Sequence, residues 1–361
     1  MPIKQGVNML KRLFFAIWLA GIAVEPASAG EILYRGVRPL AMGDAFTAVA
    51  NDENAAFYNP AGLHWIETPH TAFLTPQVDI GTIPASLISP CGTEIDTATI
   101  TDTLRGMVGK RQYLRGSLLT DYLRRDIQLG ILLQARLEFE VHQPSYPYVD
   151  VDSGTDIVYF LGVAQGVWDD ALKMGFSPKL VQRNELAKRY TVTDISSSNF
   201  DFMGDVKSGS AVGLDFGAIY TTEMMGYETS FGVAGQNIGR LNFSGGVNSV
   251  PAKVNLGASM RIPFDMWFGP YTLLAALDFK DVWNFYGPDR DIPKRFHFGM
   301  ELPFNKYFTL RAGIKQSYWT YGAALAIGIL KFSYANYTEE LGGYGGQRGD
   351  VRNVLEVAAV F

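Results

Sequence analysis

Apolar and polar residues alternate with a period of two along most of the chain after Thr71. In the longest run, Gln128 to His142, every odd-numbered position from Leu129 to Val141 is apolar. Most of the even-numbered positions are polar, namely Gln128, Gln134, Arg136, Glu138, Glu140 and His142. Because successive side chains of a strand point to opposite faces, this run predicts a β-strand with one apolar face and one polar face.

The same alternation recurs in Met174–Leu180, Val254–Ile262, Phe296–Leu302, Leu310–Ile314 and Leu330–Tyr334. Several strands approach ten residues, the length with which a tilted strand crosses a bilayer. A soluble β-sandwich is the alternative, but its strands are commonly about five or six residues long. The pattern therefore predicts an all-β, transmembrane antiparallel β-barrel whose apolar face meets lipid. Its lumen would be lined by the polar residues Arg136, Glu138, Glu140, Arg261, His297, Glu301 and Arg311.

The chain ends on an alternating strand, Val351 to Phe361, with an aromatic last residue. In water, such an apolar terminal strand would be prone to aggregation. In lipid it can close a barrel, which leaves no backbone group unpaired. We expect Phe361 at the periplasmic rim and recognition of this strand by the barrel-assembly machinery.

The N-terminus predicts export. Lys11 and Arg12 precede the apolar run Leu13–Ala23, and Ala27-Ser28-Ala29 offers a small-x-small cleavage site. This is typical of a cleavable secretory signal peptide over residues 1–29. No later stretch reaches the roughly 18 apolar residues that a membrane helix needs. We expect location in the bacterial outer membrane, with residues 30–69 preceding a barrel over residues 70–361.

Counting strands exposes a missing one. Thirteen can be placed, beginning with Ala72–Ile80. Long connections, such as Gln143–Gly154 and Glu185–Ser208, alternate with short ones, and Gln316–Trp319 is the exception. Barrels of this kind have an even strand number, so one crossing is hidden between Gly81 and Arg125, which gives about fourteen. Within that gap, Thr101 to Tyr122 has apolar spacing typical of an amphipathic helix.

Composition narrows the function. The net charge is -5 and the chain has no long basic run, which argues against nucleic acid as a partner. Cys91 is the only cysteine, so an intramolecular disulfide and a cysteine-based metal site are excluded. No metal-ligand spacing or phosphate-binding loop is visible, and we expect no cofactor. With four histidines and no Gly-x-Ser-x-Gly motif, the sequence offers little for hydrolysis, and we expect no enzyme activity.

The N-terminal part of the mature chain has a different character. Arg35 to Ala50 is rich in small residues and does not alternate, which suits a segment packed within a narrow lumen. Ala55 to Leu63 follows, in which Asn59-Pro60-Ala61-Gly62 predicts a turn. Farther on, Pro178 lies within a predicted strand, where it removes a ladder hydrogen bond and is a candidate for a break in the wall.

Arg35 to Ala50, followed by Tyr58-Asn-Pro-Ala-Gly-Leu63, resembles the opening of the FadL/TodX/PorV superfamily of outer-membrane proteins. The resemblance implies a fourteen-stranded barrel whose N-terminal segment folds inward as a hatch. It further implies passive uptake of hydrophobic compounds, such as long-chain fatty acids, with lateral or hatch-gated release. The hatch and gating residues would be Asn59, Pro60, Ala61 and Gly62.

The superfamily also contains members that serve type IX secretion as protein shuttles, so the fold leaves two functions open. The first is a channel whose partners are outer-membrane lipid and a hydrophobic small molecule. The alternative is a non-transport barrel with a secretion-linked, interaction or structural role. A continuous apolar tunnel would favour transport, whereas a lumen filled by charged side chains would favour the alternative.

Overall fold

The computed structural model describes residues 33–67, 69–81, 106–195, 201, 203–266, 269–282 and 291–360. Within these ranges, fourteen antiparallel strands form one closed barrel, in which β1 pairs with β14. The predicted fold class, a transmembrane barrel of about fourteen strands, is confirmed. The predicted signal peptide, Cys91 and Phe361 lie outside the described residues.

The strands are β1 (His70–Ile80), β2 (Arg111–Arg124), β3 (Ile127–His142), β4 (Tyr148–Val167), β5 (Leu172–Thr191), β6 (Lys207–Met224), β7 (Tyr227–Gln236), β8 (Lys253–Met266), β9 (Gly269–Phe279), β10 (Phe296–Pro303), β11 (Phe308–Lys315), β12 (Tyr318–Ile327), β13 (Leu330–Glu340) and β14 (Gly349–Val360). The helices are α1 (Val37–Ala41), α2 (Ala55–Tyr58) and α3 (Val192–Ile195), with 3-10 helices at Pro60–Trp65, Met203–Asp205 and Pro293–Arg295. None of the helices in the described ranges is long and apolar enough to cross a membrane.

The two rims of the barrel differ in their connections. At one rim, here the short-turn rim, two to four residues join successive strands, as in residues 125–126 and 168–171. At the other, the long-loop rim, connections such as 192–206 and 237–252 are much longer. Among the described residues, 316–317 form the only two-residue connection at that rim. This is the short exception that the sequence predicted at Gln316–Trp319.

Side chains divide between the two faces of the wall as the alternation predicted. On β3, Leu129, Ile131 and Leu133 are exposed on the outer face, each by more than two-fifths. Gln128 and Arg136 are buried on the inner face. A closed barrel pairs its backbone groups between strands, so an apolar outer face can meet lipid without unsatisfied hydrogen bonds.

The hidden crossing is β2, and the predicted helix is wrong over residues 111–122; residues 101–105 lie outside the described ranges. Leu118 and Tyr122 are on the outer face, but the adjacent Leu119 and Leu123 are buried on the inner face. Both inner leucines belong to the apolar core around the N-terminal residues. When both faces of a strand carry apolar residues, adjacent apolar pairs such as Leu118–Leu119 and Tyr122–Leu123 can recur four residues apart. This spacing resembles the period of a helix.

β4 and β5 contain 20 residues each, whereas β10 and β11 contain 8. The loops predicted at Gln143–Gly154 and Glu185–Ser208 are therefore partly strand. The β3–β4–β5 side of the wall rises beyond the rest at the long-loop rim because pairing continues to Tyr148↔Thr191.

Residues 33–67, here the N-terminal segment, lie inside the barrel. Its apolar side chains Phe46, Val49 and Leu63 are buried against inward-facing wall residues such as Leu132 and Val158. The apolar core of the molecule thus lies between this segment and the wall.

Candidate functional site in the barrel lumen

The motif Asn59-Pro60-Ala61-Gly62 lies in the lumen, at the start of the 3-10 helix Pro60–Trp65, and all four residues are buried. Asn59 caps this helix, since its Oδ1 accepts a hydrogen bond from the Ala61 N–H at 3.1 Å. Pro60 is in the first helical position, where the absence of an N–H has no cost.

The Asn59 amide also joins the N-terminal segment to the wall. Its Nδ2 donates to the Thr47 carbonyl at 2.7 Å. The same atom lies 3.4 Å from the Ala218 carbonyl of β6 and 3.3 Å from the Val233 carbonyl of β7. One buried side chain therefore connects two parts of the segment with two adjacent strands.

Glycines on the inner wall permit this close contact. A Cβ atom on Gly175 of β5 would lie 2.4 Å from the carbonyl carbon of Pro60, and one on Gly217 of β6 would lie 1.8 Å from Asn59 Oδ1. Within the segment, a Cβ on Gly62 would lie 1.5 Å from the Ala50 carbonyl oxygen. A side chain on Gly175 or Gly217 would push the segment off the wall, and one on Gly62 would force apart two parts of the segment.

Asp278 of β9 is an anchor that sequence reasoning missed. Its Oδ2 accepts hydrogen bonds from the Phe46 N–H at 2.8 Å, the Thr47 N–H at 2.9 Å and the Thr47 hydroxyl at 2.7 Å. Lys280 pairs with the same carboxylate at 2.9 Å. The sequence feature that could have identified this anchor is a single carboxylate at an inward position of an otherwise apolar strand.

His297, predicted to line the lumen, is buried on β10, and its Nδ1 lies 2.6 Å from the Gly43 carbonyl oxygen. It therefore holds the N-terminal segment through a backbone group. Among the described residues, no cluster of three or more His, Cys, Asp or Glu is suited to a metal ion.

Glu301 and Arg311, also predicted to line the lumen, meet around Arg38 of the N-terminal segment. Both carboxylate oxygens of Glu301 accept from Arg38 at 2.7 Å, in a bidentate pair. Arg311 Nε donates to Glu301 at 2.6 Å, and Arg38 also pairs with Asp52 at 2.9 Å. Charge-assisted bidentate pairs are among the stronger hydrogen bonds in proteins.

The other predicted lumen residues do not join this cluster. Three lie on the inner face of β3 in separate ion pairs: Arg136 with Asp152 at 3.1 Å, Glu138 with Arg111, and Glu140 with Arg348 at 2.5 Å. Arg261 is 43% exposed near the short-turn rim, 3.5 Å from Glu228. The seven residues thus form a distributed set of polar groups along the lumen.

Two cavities lie in the lumen beside the N-terminal segment, and both are small. One cavity of ≈ 20 Å³ lies between Tyr34, Phe57 and Val250. Another of ≈ 10 Å³ lies between Ala48 and Trp65. Each has room for about one water. A larger recess of ≈ 480 Å³ is on the outer face, where apolar residues of β9–β13 face lipid.

The pairing of β4 with β5 is interrupted at one place. Paired residues continue to Phe160↔Lys179 and resume at Val163↔Phe176 in the same register. The interval places Leu161–Gly162 opposite Ser177–Pro178, and proline has no N–H to donate. On the inner side, a Cβ on Gly162 would lie 2.6 Å from Leu63 of the N-terminal segment. The interruption of pairing at Pro178 therefore lies directly behind that segment.

Comparison with known proteins bears on the fold. No protein-family model matches the chain, and no curated protein matches it significantly. The CymD monoaromatic hydrocarbon channel is 12% identical over 92% of this chain and 98% of its own, with a TM-score of 0.50. The chain has the barrel fold of this channel. The fold implied by the sequence resemblance to the FadL/TodX/PorV superfamily is thereby confirmed.

Two toluene transporters also match. TbuX of Ralstonia pickettii is 14% identical over 92% of this chain and 99% of its own, with a TM-score of 0.49. TodX of Pseudomonas putida is 13% identical over 91% of this chain and 98% of its own, with a TM-score of 0.45.

Proposed function

We propose that this protein is a bacterial outer-membrane channel for passive uptake of hydrophobic compounds, such as long-chain fatty acids, with the N-terminal segment acting as its hatch. The observation that carries the proposal is the position of the β4–β5 interruption. Leu161–Gly162 and Ser177–Pro178 leave the wall unpaired where Leu63 packs from inside. CymD, a protein of known structure with the same fold, is a monoaromatic hydrocarbon channel.

Release would be lateral. A hydrophobic molecule would adsorb at the long-loop rim and reach the N-terminal segment. If that segment moved away from Gly162, the molecule could pass between β4 and β5 into the bilayer. Separating the strands at this place has a lower cost because Pro178 donates no ladder hydrogen bond. The step needs no energy source, since an apolar molecule is more stable in lipid than in water.

Uptake by cells that carry or lack the protein tests this proposal, with radiolabelled fatty acid, alkane and aromatic substrates. The variant Pro178→Val restores a backbone N–H to the interrupted pairing. It should reduce uptake severalfold at equal amounts of folded barrel. Pro263→Val is the matched control, because Pro263 is also an exposed strand proline but lies where the pairing of β8 with β9 continues without interruption.

The control variant should transport at the original rate. Equal uptake of all three substrate classes by cells with and without the protein would overturn the channel. Reduced uptake by both proline variants would instead remove the assignment of the exit to the β4–β5 gap.

The non-transport alternative is favoured by one observation, the filling of the lumen by ion pairs. Lys179 pairs with Asp215 at 2.6 Å on the inner wall, and Arg35 of the N-terminal segment pairs with Glu339 at 2.6 Å. Under this alternative the N-terminal segment is a permanent plug in a secretion-linked or structural barrel. A disulfide that locks the segment to the wall, made in a Cys91→Ser background, separates the two. It should abolish uptake by a channel and leave a permanently plugged barrel functional.

A further inference from the structure

His64 lies near the end of the 3-10 helix Pro60–Trp65, between two turns of the short-turn rim. Its Nδ1 is 2.6 Å from Asp126 Oδ1 in the β2–β3 turn. Its Nε2 is 3.0 Å from Asp170 Oδ1 in the β4–β5 turn. The imidazole is 9% exposed, so one nearly buried side chain of the N-terminal segment touches two separate turns of the wall.

The same Nε2 atom has a second neighbour, Arg125, whose Nη2 lies 2.8 Å away. Nε2 can accept a hydrogen bond from Arg125 only when it carries no proton. It can donate to Asp170 only when it does carry one. The site therefore has two mutually exclusive arrangements, which differ by one proton.

The surrounding charges are few. Arg125 also pairs with Asp170 Oδ2 at 3.0 Å and is more than half exposed. Lys173 of β5 donates to the Asp170 backbone carbonyl at 2.5 Å, and its Nζ lies 5.3 Å from the Trp65 ring centroid. The charged groups around the imidazole are thus Asp126 and Arg125 on one turn, with Asp170 and Lys173 at the other.

The backbone of the β4–β5 turn has an uncommon conformation at this site. Trp168, Asp169 and Asp170 all have positive φ angles, of 54°, 53° and 63°. This conformation is uncommon without glycine and is found where surrounding contacts hold it in place. A Cβ on Gly166 would lie 2.5 Å from His64 Nε2 and 2.2 Å from Asp170 Oδ1, so glycine admits the imidazole to the wall.

The carboxylate of Asp170 keeps its negative charge near neutral pH. The hydrogen bond from His64 holds the pKa of Asp170 below its ordinary value. Asp170 therefore stays ionised through mildly acidic pH, while imidazole is the side chain that commonly changes its charge between about pH 5 and 8.

We propose that His64 is a proton-controlled clamp that holds the N-terminal segment to the β2–β3 and β4–β5 turns. With a proton on both ring nitrogens, it forms ion pairs with both aspartates and binds the segment tightly. Without the second proton, Nε2 accepts from Arg125 instead of donating to Asp170, so the segment loses its ion pair with the β4–β5 turn and keeps contacts only with the β2–β3 turn. The clamp's role in opening a channel rests on the proposed function, but its existence does not.

Hydrogen exchange of the full-length purified barrel in detergent tests the clamp without any transport measurement. Protection of the backbone amides of residues 61–66 would be compared at pH 5.5 and 7.5, after correction for intrinsic exchange rates. Protection should be about tenfold greater at pH 5.5, as expected when an ion pair with Asp170 replaces a hydrogen bond to a neutral ring nitrogen. In His64→Gln this difference should disappear.

His142→Gln is the matched control. His142 also lies near two carboxylates, 3.9 Å from Glu140 and 3.3 Å from Asp150, but on the extended β3–β4 wall at the long-loop rim. The control should keep the pH difference at residues 61–66. Equal protection of the unaltered protein at both pH values, or a persistent difference in His64→Gln, would overturn the clamp.

Arg125→Ala provides a second variant that keeps the imidazole and removes a mostly exposed side chain. It should raise protection at pH 7.5 towards the value at pH 5.5, because Arg125 no longer competes for Nε2. Unaltered protection in this variant would contradict the two-arrangement scheme even if His64→Gln failed to fold. If hydrogen exchange shows the pH-dependent clamp but cells with the protein take up no substrate, only the channel function is overturned. If cells take up substrate but hydrogen exchange shows no pH dependence, only the clamp is overturned.

Discussion

Asn59 Nδ2 donates a hydrogen bond of 2.7 Å to the carbonyl oxygen of Thr47, twelve residues earlier in the chain. This bond folds the N-terminal segment back on itself in the middle of the lumen. The backbone of Thr47 is in turn held by Asp278 of the wall. The motif residue and the wall carboxylate therefore act on the same point of the segment.

We expect Asn59→Ala to loosen the N-terminal segment by about 1–3 kcal/mol, because the Ala61 N–H and the Thr47 carbonyl would lose a buried partner. Hydrogen exchange of residues 47–62 measures the effect. Asn353→Ala, on the outer face of β14, is the control and should change protection by less than about 0.5 kcal/mol. A similar response from both variants would contradict the role of Asn59.

Gly217→Ala tests the close approach of the segment to β6. Its Cβ would lie 1.8 Å from Asn59 Oδ1, so the asparagine has to move, at a cost of about 1–3 kcal/mol. Gly116→Ala on β2 is the control, since a Cβ there meets nothing within 4 Å. Urea unfolding followed by tryptophan fluorescence should separate the two variants. Equal midpoints would show that the segment does not depend on this contact.

Asp278→Asn should release the part of the segment around Thr47. The neutral amide keeps one acceptor oxygen but loses the charge that strengthens three hydrogen bonds and the Lys280 pair, worth about 1.5–3 kcal/mol for a bond to a charged group. Limited proteolysis should cut within residues 44–50 faster than in the unaltered protein. Asp265→Asn, an exposed residue of β8, controls for the charge change and should not alter cleavage.

Strong acid, below about pH 4, should release the clamp at His64. Because the hydrogen bond from His64 holds the pKa of Asp170 below its ordinary value, the ionised carboxylate stabilises the folded state. This contribution is fully present above the ordinary aspartate pKa of about 3.9 and is lost as pH falls through the lowered value. Protection of residues 61–66 should therefore rise from pH 7.5 to 5.5 and fall again below about pH 4. In Asp170→Asn we expect both the rise at pH 5.5 and the fall below pH 4 to be smaller, because His64 then keeps only its pair with Asp126.

The strand pattern was readable from local sequence wherever only one face was apolar. β3 is the clearest case, because Leu129, Ile131 and Leu133 meet lipid, whereas most of its inward positions are polar. β2 was not readable, since Leu119 and Leu123 face the N-terminal segment and make the inner face apolar as well. Alternation identifies a strand only when its two faces meet different surroundings.

The candidate site divides in the same way. Asn59 and Pro60 stand out in the sequence because they impose a turn whatever surrounds them. Asp278, Gly217 and His64 do not stand out, because their importance lies in partners more than 45 residues away along the chain. No local pattern encodes such distant pairs.

The order of apolar and polar residues was sufficient for the barrel, its strand directions and its lipid-facing side, because these follow from backbone geometry and from the exclusion of polar groups from lipid. The packing of the N-terminal segment required the closed barrel. Closure brings β6, β9 and the turns at Asp126 and Asp170 around one narrow lumen. In that lumen, Gly217 leaves room for Asn59, and the charged Asp278 binds the backbone of Thr47.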